Sequence, residues 1–219
     1  MNVPTASIAR PPRPAEAWAL VALVSVALVV SGLLARDRTT WLMEVVWVIV
    51  GLPFIAWQWK AFPLTLVLSV LLVLHALVLI HGGMYTYAQT PLGFAMRDAF
   101  RAMGFDALRN PWDRLGHFMQ GFVPAILARE LLVRCTPLRR GAWLTYLCIA
   151  AALSFSAFFE LLEWWAALAM GADADAFLAT QGDVWDTQWD MFMCLCGACV
   201  SLLLFSRLHD RQLGLRPTP

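Results

Sequence analysis

Apolar residues run along this chain in long stretches separated by short polar connections. Six stretches approach the roughly 20 residues that a helix needs to cross a hydrocarbon core about 30 Å thick. The pattern predicts spans over Ala17 to Ala35, Trp41 to Trp59 with a proline at Pro53, Pro63 to Ile80, Leu115 to Val133, Gly141 to about Met170, and Trp189 to Arg207. The fourth is the weakest, because Gln120 and the Arg129-Glu130 pair leave it a short apolar centre. The expected fold is all-α: one polytopic membrane helix bundle of about six transmembrane helices over residues 17–207, with tails at 1–16 and 208–219. The first span follows Arg10 and Arg13 as a signal peptide would. Its apolar stretch is long for a signal and no Ala-x-Ala site follows, so an anchor is expected. The Pro-rich stretch from Pro4 to Pro14 and the segment from Gly214 to Pro219 read as flexible tails.

Composition agrees. Hydrophobic residues make up 60% of the 219 and charged residues 14%, against roughly 45–50% and about 25% in a soluble domain. Eleven Trp beside three Tyr point the same way, and the pairs Trp57/Trp59 and Trp164/Trp165 read as interfacial belts. A net charge of +1 with scattered basic residues excludes a nucleic-acid partner. Five cysteines, odd in number and mostly inside apolar runs, argue against a disulfide framework. Cys194-x-Cys196-x-x-Cys199 scatters its thiols around a helix, and Gly197-Ala198 beside it suggests close helix packing through small residues.

Counting Lys and Arg on alternate sides gives ten with the termini (Arg10, Arg13, Lys60, Arg129, Arg134, Arg139, Arg140, Arg207, Arg211, Arg216) and six opposite (Arg36, Arg38, Arg97, Arg101, Arg109, Arg114). The connection between the last two spans carries Asp173, Asp175, Asp183 and Asp186 and no basic residue. Both termini are therefore expected in the cytoplasm.

This topology sends ionisable residues to the outer face. Asp113, Arg114 and His117 start the fourth span, Glu160 and Glu163 lie late in the fifth, Asp183, Asp186, Gln188 and Asp190 lead into the sixth, and His81, Tyr85 and Tyr87 leave the third. Spacings of three and four residues put each group on one helix face. A charge at mid-bilayer costs roughly 2.5–3.5 kcal/mol on insertion scales, so convergence is expected. A His among several carboxylates is the ligand set of a hard or borderline divalent metal ion, assigned here to Asp113, His117, Glu160, Asp186 and Asp190. The plainer reading of Asp113 is a helix cap, that of Asp183 and Asp186 a solvated acidic loop, and that of His81 a helix end before Gly82-Gly83. His75 reads as a packed core histidine and His209 as a cytoplasmic surface residue.

The strings Asp113-Arg114-x-Gly116-His117-Phe118-x-Gln120-Gly121-Phe122, Phe159-Glu160-x-x-Glu163-Trp164-Trp165 and Gln181-Gly182-Asp183-x-Trp185-Asp186-x-Gln188-Trp189-Asp190-Met191, with Tyr85-Thr86-Tyr87-Ala88 before Pro91, resemble the YjdF-like family. These are bacterial inner-membrane proteins of unknown function, and the likeness runs from about the second span to the sixth. The Asp-x-x-x-His-Phe start of one span is more distantly similar to VanZ-like membrane proteins. The resemblance implies a compact multi-span protein of the bacterial inner membrane and transfers no activity.

Three functions fit the pattern. The first is a metal-dependent hydrolase or transferase acting on a lipid or cell-envelope molecule, with Glu163 or Asp183 as general base and Arg114 neutralising a phosphate or developing charge. The second is a non-catalytic protein that binds a cation or small ligand for envelope protection or sensing, and the third a small cation-coupled transporter. Acids confined to the outer halves of the spans weigh against transport.

Overall fold

The computed structural model describes residues 10–106, 108–171 and 178–215. Most of the Pro-rich stretch, Asp173 and Asp175 of the acidic connection, and Arg216 with the end of the C-terminal tail lie outside them. The chain is a helical membrane bundle. Among the described residues it forms α1 (Pro14–Leu34), α2 (Arg38–Gln58), α3 (Leu66–Met84), α4 (Pro91–Ala102), α5 (Trp112–Cys135), α6 (Ala142–Met170) and α7 (Asp186–Gln212). Six are long and α4 is short.

The long helices alternate in direction, which gives the bundle two ends. At one, the Arg10 carbonyl accepts from the Leu66 amide and the Gln212 carbonyl from the Arg10 amide, so the starts of α1 and α3 meet the close of α7. We call this the terminal end. At the other, the Met84 carbonyl accepts from the Arg36 amide, and the starts of α5 and α7 gather there.

Among the described residues five helices are long and apolar enough to cross a membrane by composition; of the six long ones α5 is the exception. It is also the centre of the bundle, packed on α3, α6 and α7, while α1 and α2 lie against α3. Its low hydropathy and its central place have one cause. The polar residues of α5 point inward, where Asp113, His117, Gln120, Arg129, Glu130 and Arg134 are all buried. Around them Val123 and Ile126 pack with Leu68 and Leu71 of α3, Cys148 and Ala152 of α6, and Cys194 and Ala198 of α7.

The α5–α7 crossing is closer than side chains allow. A Cβ at Gly121 would overlap the Cys194 carbonyl, and one at Gly197 would overlap the Phe118 carbonyl. Glycine is required here because backbone meets backbone.

α4 is the element the hydrophobic pattern does not predict. Twelve residues with Arg97, Asp98 and Arg101 on them are too short and too polar for a span. Pro91 in its first turn and an exposed Leu92 and Phe100 mark an amphipathic surface helix.

His209 departs from expectation. Instead of lying on the surface it is fully buried at the terminal end, where its Nδ1 accepts from Arg129 at 3.0 Å and its Nε2 faces Glu130 at 3.0 Å. An arginine can only donate, so Nε2 carries the ring proton and donates it to the carboxylate. Glu130 also accepts from the Thr65 hydroxyl at 2.7 Å, the Thr65 amide and Arg134 at 2.8 Å. Arg129 pairs with Asp210 at 2.5 Å, and Asp210 with Arg140 at 3.1 Å. Residues that weaken the fourth span on a hydropathy count thus knit α3, α5 and α7 together.

Candidate functional site

At the opposite end the start of α5 is set by a turn. Asn110 Oδ1 accepts from the Trp112 amide, while Gln181 both accepts from the Asn110 amide at 2.8 Å and donates to its carbonyl at 3.0 Å. That stitch ties the approach to α7 onto the approach to α5. Gln181 holds it with φ +51°, and Ala179 has φ +49°, a conformation that L-residues adopt only when their surroundings over-determine it. Asp113 is therefore not the cap of α5: Asn110 supplies that oxygen, and Asp113 is left to face the interior.

Two arginines organise the acids. Arg109 meets Asp113 Oδ2 at 2.9 Å and Asp186 at 2.5 Å, and lies 3.5 Å from Asp183. Arg114 meets Asp183 at 2.8 Å, Asp186 at 3.2 Å and Asp190 Oδ1 at 3.3 Å, with its guanidinium over the Trp189 ring. Asp183 lies outside the spans. The Trp185 amide, and after it Arg114, hold its carboxyl below the usual carboxylate range.

Arg109 hydrogen-bonds one oxygen of Asp113, whereas Asp190 Oδ1 stands at ion-pair distance from Arg114 with no hydrogen-bond partner; the other oxygen of each turns to His117. Asp113 Oδ1 lies 3.7 Å and Asp190 Oδ2 3.9 Å from His117 Nε2. Both distances are too long for hydrogen bonds. His117 Nδ1 faces Gln120 Oε1 at 3.0 Å, an oxygen that only accepts, so Nδ1 carries the proton. Its Nε2 points between two carboxylate oxygens. One atom from each of Asp113, His117 and Asp190 falls within a 4.8 Å group, and all three residues are buried. An ion about 2.0–2.2 Å from each ligand would draw those atoms to roughly 3.0–3.6 Å apart, a small inward movement.

Glu160 stands 3.7 Å from His117 on the ring's other side, buried, with Oε1 lacking a hydrogen-bond partner. Glu163 lies one turn on and lines a cavity beside the cluster. Of the eight residues read from the sequence, Asp113, His117 and Asp190 thus form the tight group and Glu160 touches it. Asp186, Asp183 and Arg114 form the ion-pair layer above, and Glu163 faces the cavity. His81 goes elsewhere, against Trp112 and Tyr85. His75 is an interior histidine that also lines the cavity, and its buried Nε2 has no hydrogen-bond partner.

Glu44 escaped the reading of the sequence. It is buried near the start of α2, lines the same cavity and hydrogen-bonds Tyr87. Thr86 and Tyr87 have φ +57° and +47°, which folds the Tyr87 ring back under Gly82, where a Cβ would strike it. The only signal for Glu44 in the sequence is one acid inside an apolar run.

Fold and site together define a polytopic helical membrane protein with a buried His/Asp/Asp cluster at one end of its bundle. The family described as "Predicted membrane protein (DUF2238)" matches residues 16–211, and the chain belongs to it. The match begins at α1, ahead of the region where the motifs lie. The chain is 47% identical over 190 residues to the "Inner membrane protein YjdF" of Escherichia coli (strain K12), covering 87% of this chain and 88% of that protein. No solved structure matches.

Proposed function

We propose that this is an inner-membrane enzyme that holds a divalent metal ion between Asp113, His117 and Asp190 and uses it to hydrolyse or transfer a group on a lipid or envelope molecule. The observation that carries the reading is the buried group that Asp113, His117 and Asp190 form, with two carboxylate oxygens 3.7 and 3.9 Å from His117 Nε2, and Asp190 Oδ1 and Glu160 Oε1 lacking hydrogen-bond partners beside it. Without a cation the carboxylates of Asp113 and Asp190 repel one another, and Glu160, Glu163 and Glu44 add to the excess of acid. A ligand set of one nitrogen and two or three oxygens suits Mn²⁺ or Zn²⁺. Glu160 would complete the ligand set and Glu163 would take a proton from an attacking water. Arg114, engaged by three aspartates, acts by orienting Asp190.

Metal analysis of the purified protein tests this. We expect about one ion per chain in the parent, and a loss of at least tenfold in Asp190→Asn and Glu160→Gln. A ligand present at 100 times its dissociation constant stabilises by about 2.7 kcal/mol. Chelation should therefore lower the melting temperature by about 5–10 °C, and the variants should not respond. Incubating the parent with a bacterial lipid extract should yield a metal-dependent product that His117→Ala does not form. A metal-free parent, indifferent to chelator and less stable than Asp190→Asn, would sink the proposal.

The excess of basic residues at the terminal end supports a cytoplasmic location for both termini, with the cluster at the outer face. In Val184→Cys, the introduced thiol should react with an impermeant reagent from outside the inner membrane. The exposed native Cys135, at the terminal end, should react only after that membrane is opened. The reverse pattern would invert the topology.

A further inference from the structure

A cavity of about 700 Å³ runs along the bundle interior between α1, α2, α3, α5 and α6. Its polar end is made by Glu44, Tyr87, Asp113, His117 and Glu163, and its other end reaches Trp18, Trp59 and Lys60. From Glu44 to the end of α2 at Gln58 is about 21 Å at a 1.5 Å rise per residue, most of a bilayer's hydrocarbon thickness. Between those ends the wall is mainly Val, Leu, Ile, Ala, Trp and Phe. Protein interiors close-pack, with few voids larger than a water molecule, and a void lined by apolar groups does not hold water well. This space is built for hydrocarbon.

Gly51 supports that conclusion independently. It lines the cavity in mid-helix, and a Cβ there would meet nothing within 4 Å. The other described helical glycines each have a neighbour that a Cβ would touch. Glycine costs a helix about 1 kcal/mol relative to alanine, and at Gly51 no packing requires it; what it preserves is open space. The side wall is also thin. α2 packs on α3 and α1, whereas α6 packs on α5 and α7. Trp47 of α2 meets Phe155 of α6 across the intervening space, ring centroids 5.3 Å apart.

We infer that this cavity holds the tail of a lipid with one long hydrocarbon chain, which enters sideways from the membrane between Trp47 and Phe155 and brings its polar head to Asp113 and His117. The cavity's length, most of a bilayer's hydrocarbon thickness, matches one extended chain whose head lies at the polar end. The inference rests on the metal-enzyme reading only for what befalls the head group.

The test uses the full chain in nanodiscs of two-chain phospholipid, with palmitoyl glycerol bearing a diazirine at the chain end as probe. Cross-links are expected on Ala17, Val21 and Ala56. Gly51→Phe should reduce them at least tenfold, and Gly51→Ala should leave them within twofold. Should Gly51→Phe not assemble, Ala76→Phe narrows the same space from α3. Hexadecyl phosphate and a polyprenyl phosphate are the competitors, and the stronger of the two identifies an acyl or an isoprenoid source. Labelling confined to the lipid-facing Leu33 and Leu203, or unchanged in Gly51→Phe, overturns the inference. Metal content separates the two readings. A parent that holds metal but never labels in the cavity defeats the tail site alone, and a metal-free parent that labels in the cavity defeats the metal reading alone.

Discussion

Gly121→Ala will lower the melting temperature by about 6–12 °C, and Gly121→Leu will prevent assembly. The new Cβ would overlap the Cys194 carbonyl, and a carbonyl locked into a helix ladder cannot rotate aside as a side chain would. Overpacking a well-filled core costs about 1–3 kcal/mol and occasionally more; backbone against backbone falls at the upper end. In a chain of this length about 3 kcal/mol corresponds to that temperature shift. The damage reaches the site because Asp190 rides on α7, one turn before Cys194. On the metal reading proposed above, metal content and melting temperature should therefore fall together. Gly51→Ala is the control: its Cβ meets nothing, so helix propensity alone predicts no loss. A Gly121→Ala protein that melts with the parent would show that the two helices can part without cost.

Glu130→Ala will destabilise by about 3–5 kcal/mol, the usual result of removing one partner from a buried charge network. His209 Nε2 and the Thr65 hydroxyl would lose their acceptor in a buried region, and Arg134 would keep only the Pro63 carbonyl. The loss should be read by thermal unfolding in detergent and should leave the metal content of the surviving folded protein unchanged, since the network lies at the far end of α5. Replacing the group with apolar residues, as Glu130→Met with Arg134→Met and His209→Leu, should recover much of the stability. If Glu130→Ala alone stays within about 1 kcal/mol of the parent, the network is solvated.

Both predictions concern residues whose role differs from their hydropathy. The long apolar runs made the bundle legible, since a stretch of about 20 such residues has few other stable conformations in lipid. The meeting of Asp113, His117, Glu160 and Asp190 was legible from helical spacing and the alternation of directions. What hydropathy could not tell is whether a charge inside a span is a weakness or a joint. Arg129, Glu130 and His209 read as a thin apolar centre and a surface histidine because their partners come from three helices. Glu44 was passed over for the same reason: one acid carries no spacing pattern, and its partner Tyr87 lies across a turn that needs positive φ. α4 has neither the length of a span nor a polar motif. The division of carboxylate oxygens between arginine and histidine is a matter of ångströms that spacing does not encode.

The partners of α5 also set the order in which this molecule can be made. Arg109 and Arg114 find acids 69–77 residues downstream, and Arg129 and Glu130 meet Asp210 and His209 81 and 79 residues downstream. At 5–20 residues per second, α5 leaves the ribosome about 4–16 s before α7 can answer its charges. During that interval its polar face has no partner from α7, so α5 is expected to linger beside the insertion machinery instead of moving into lipid. A chain cut short after α6 would keep that face bare and offer membrane proteases an easy target. The last helix is thus the step that commits the whole protein to the bilayer.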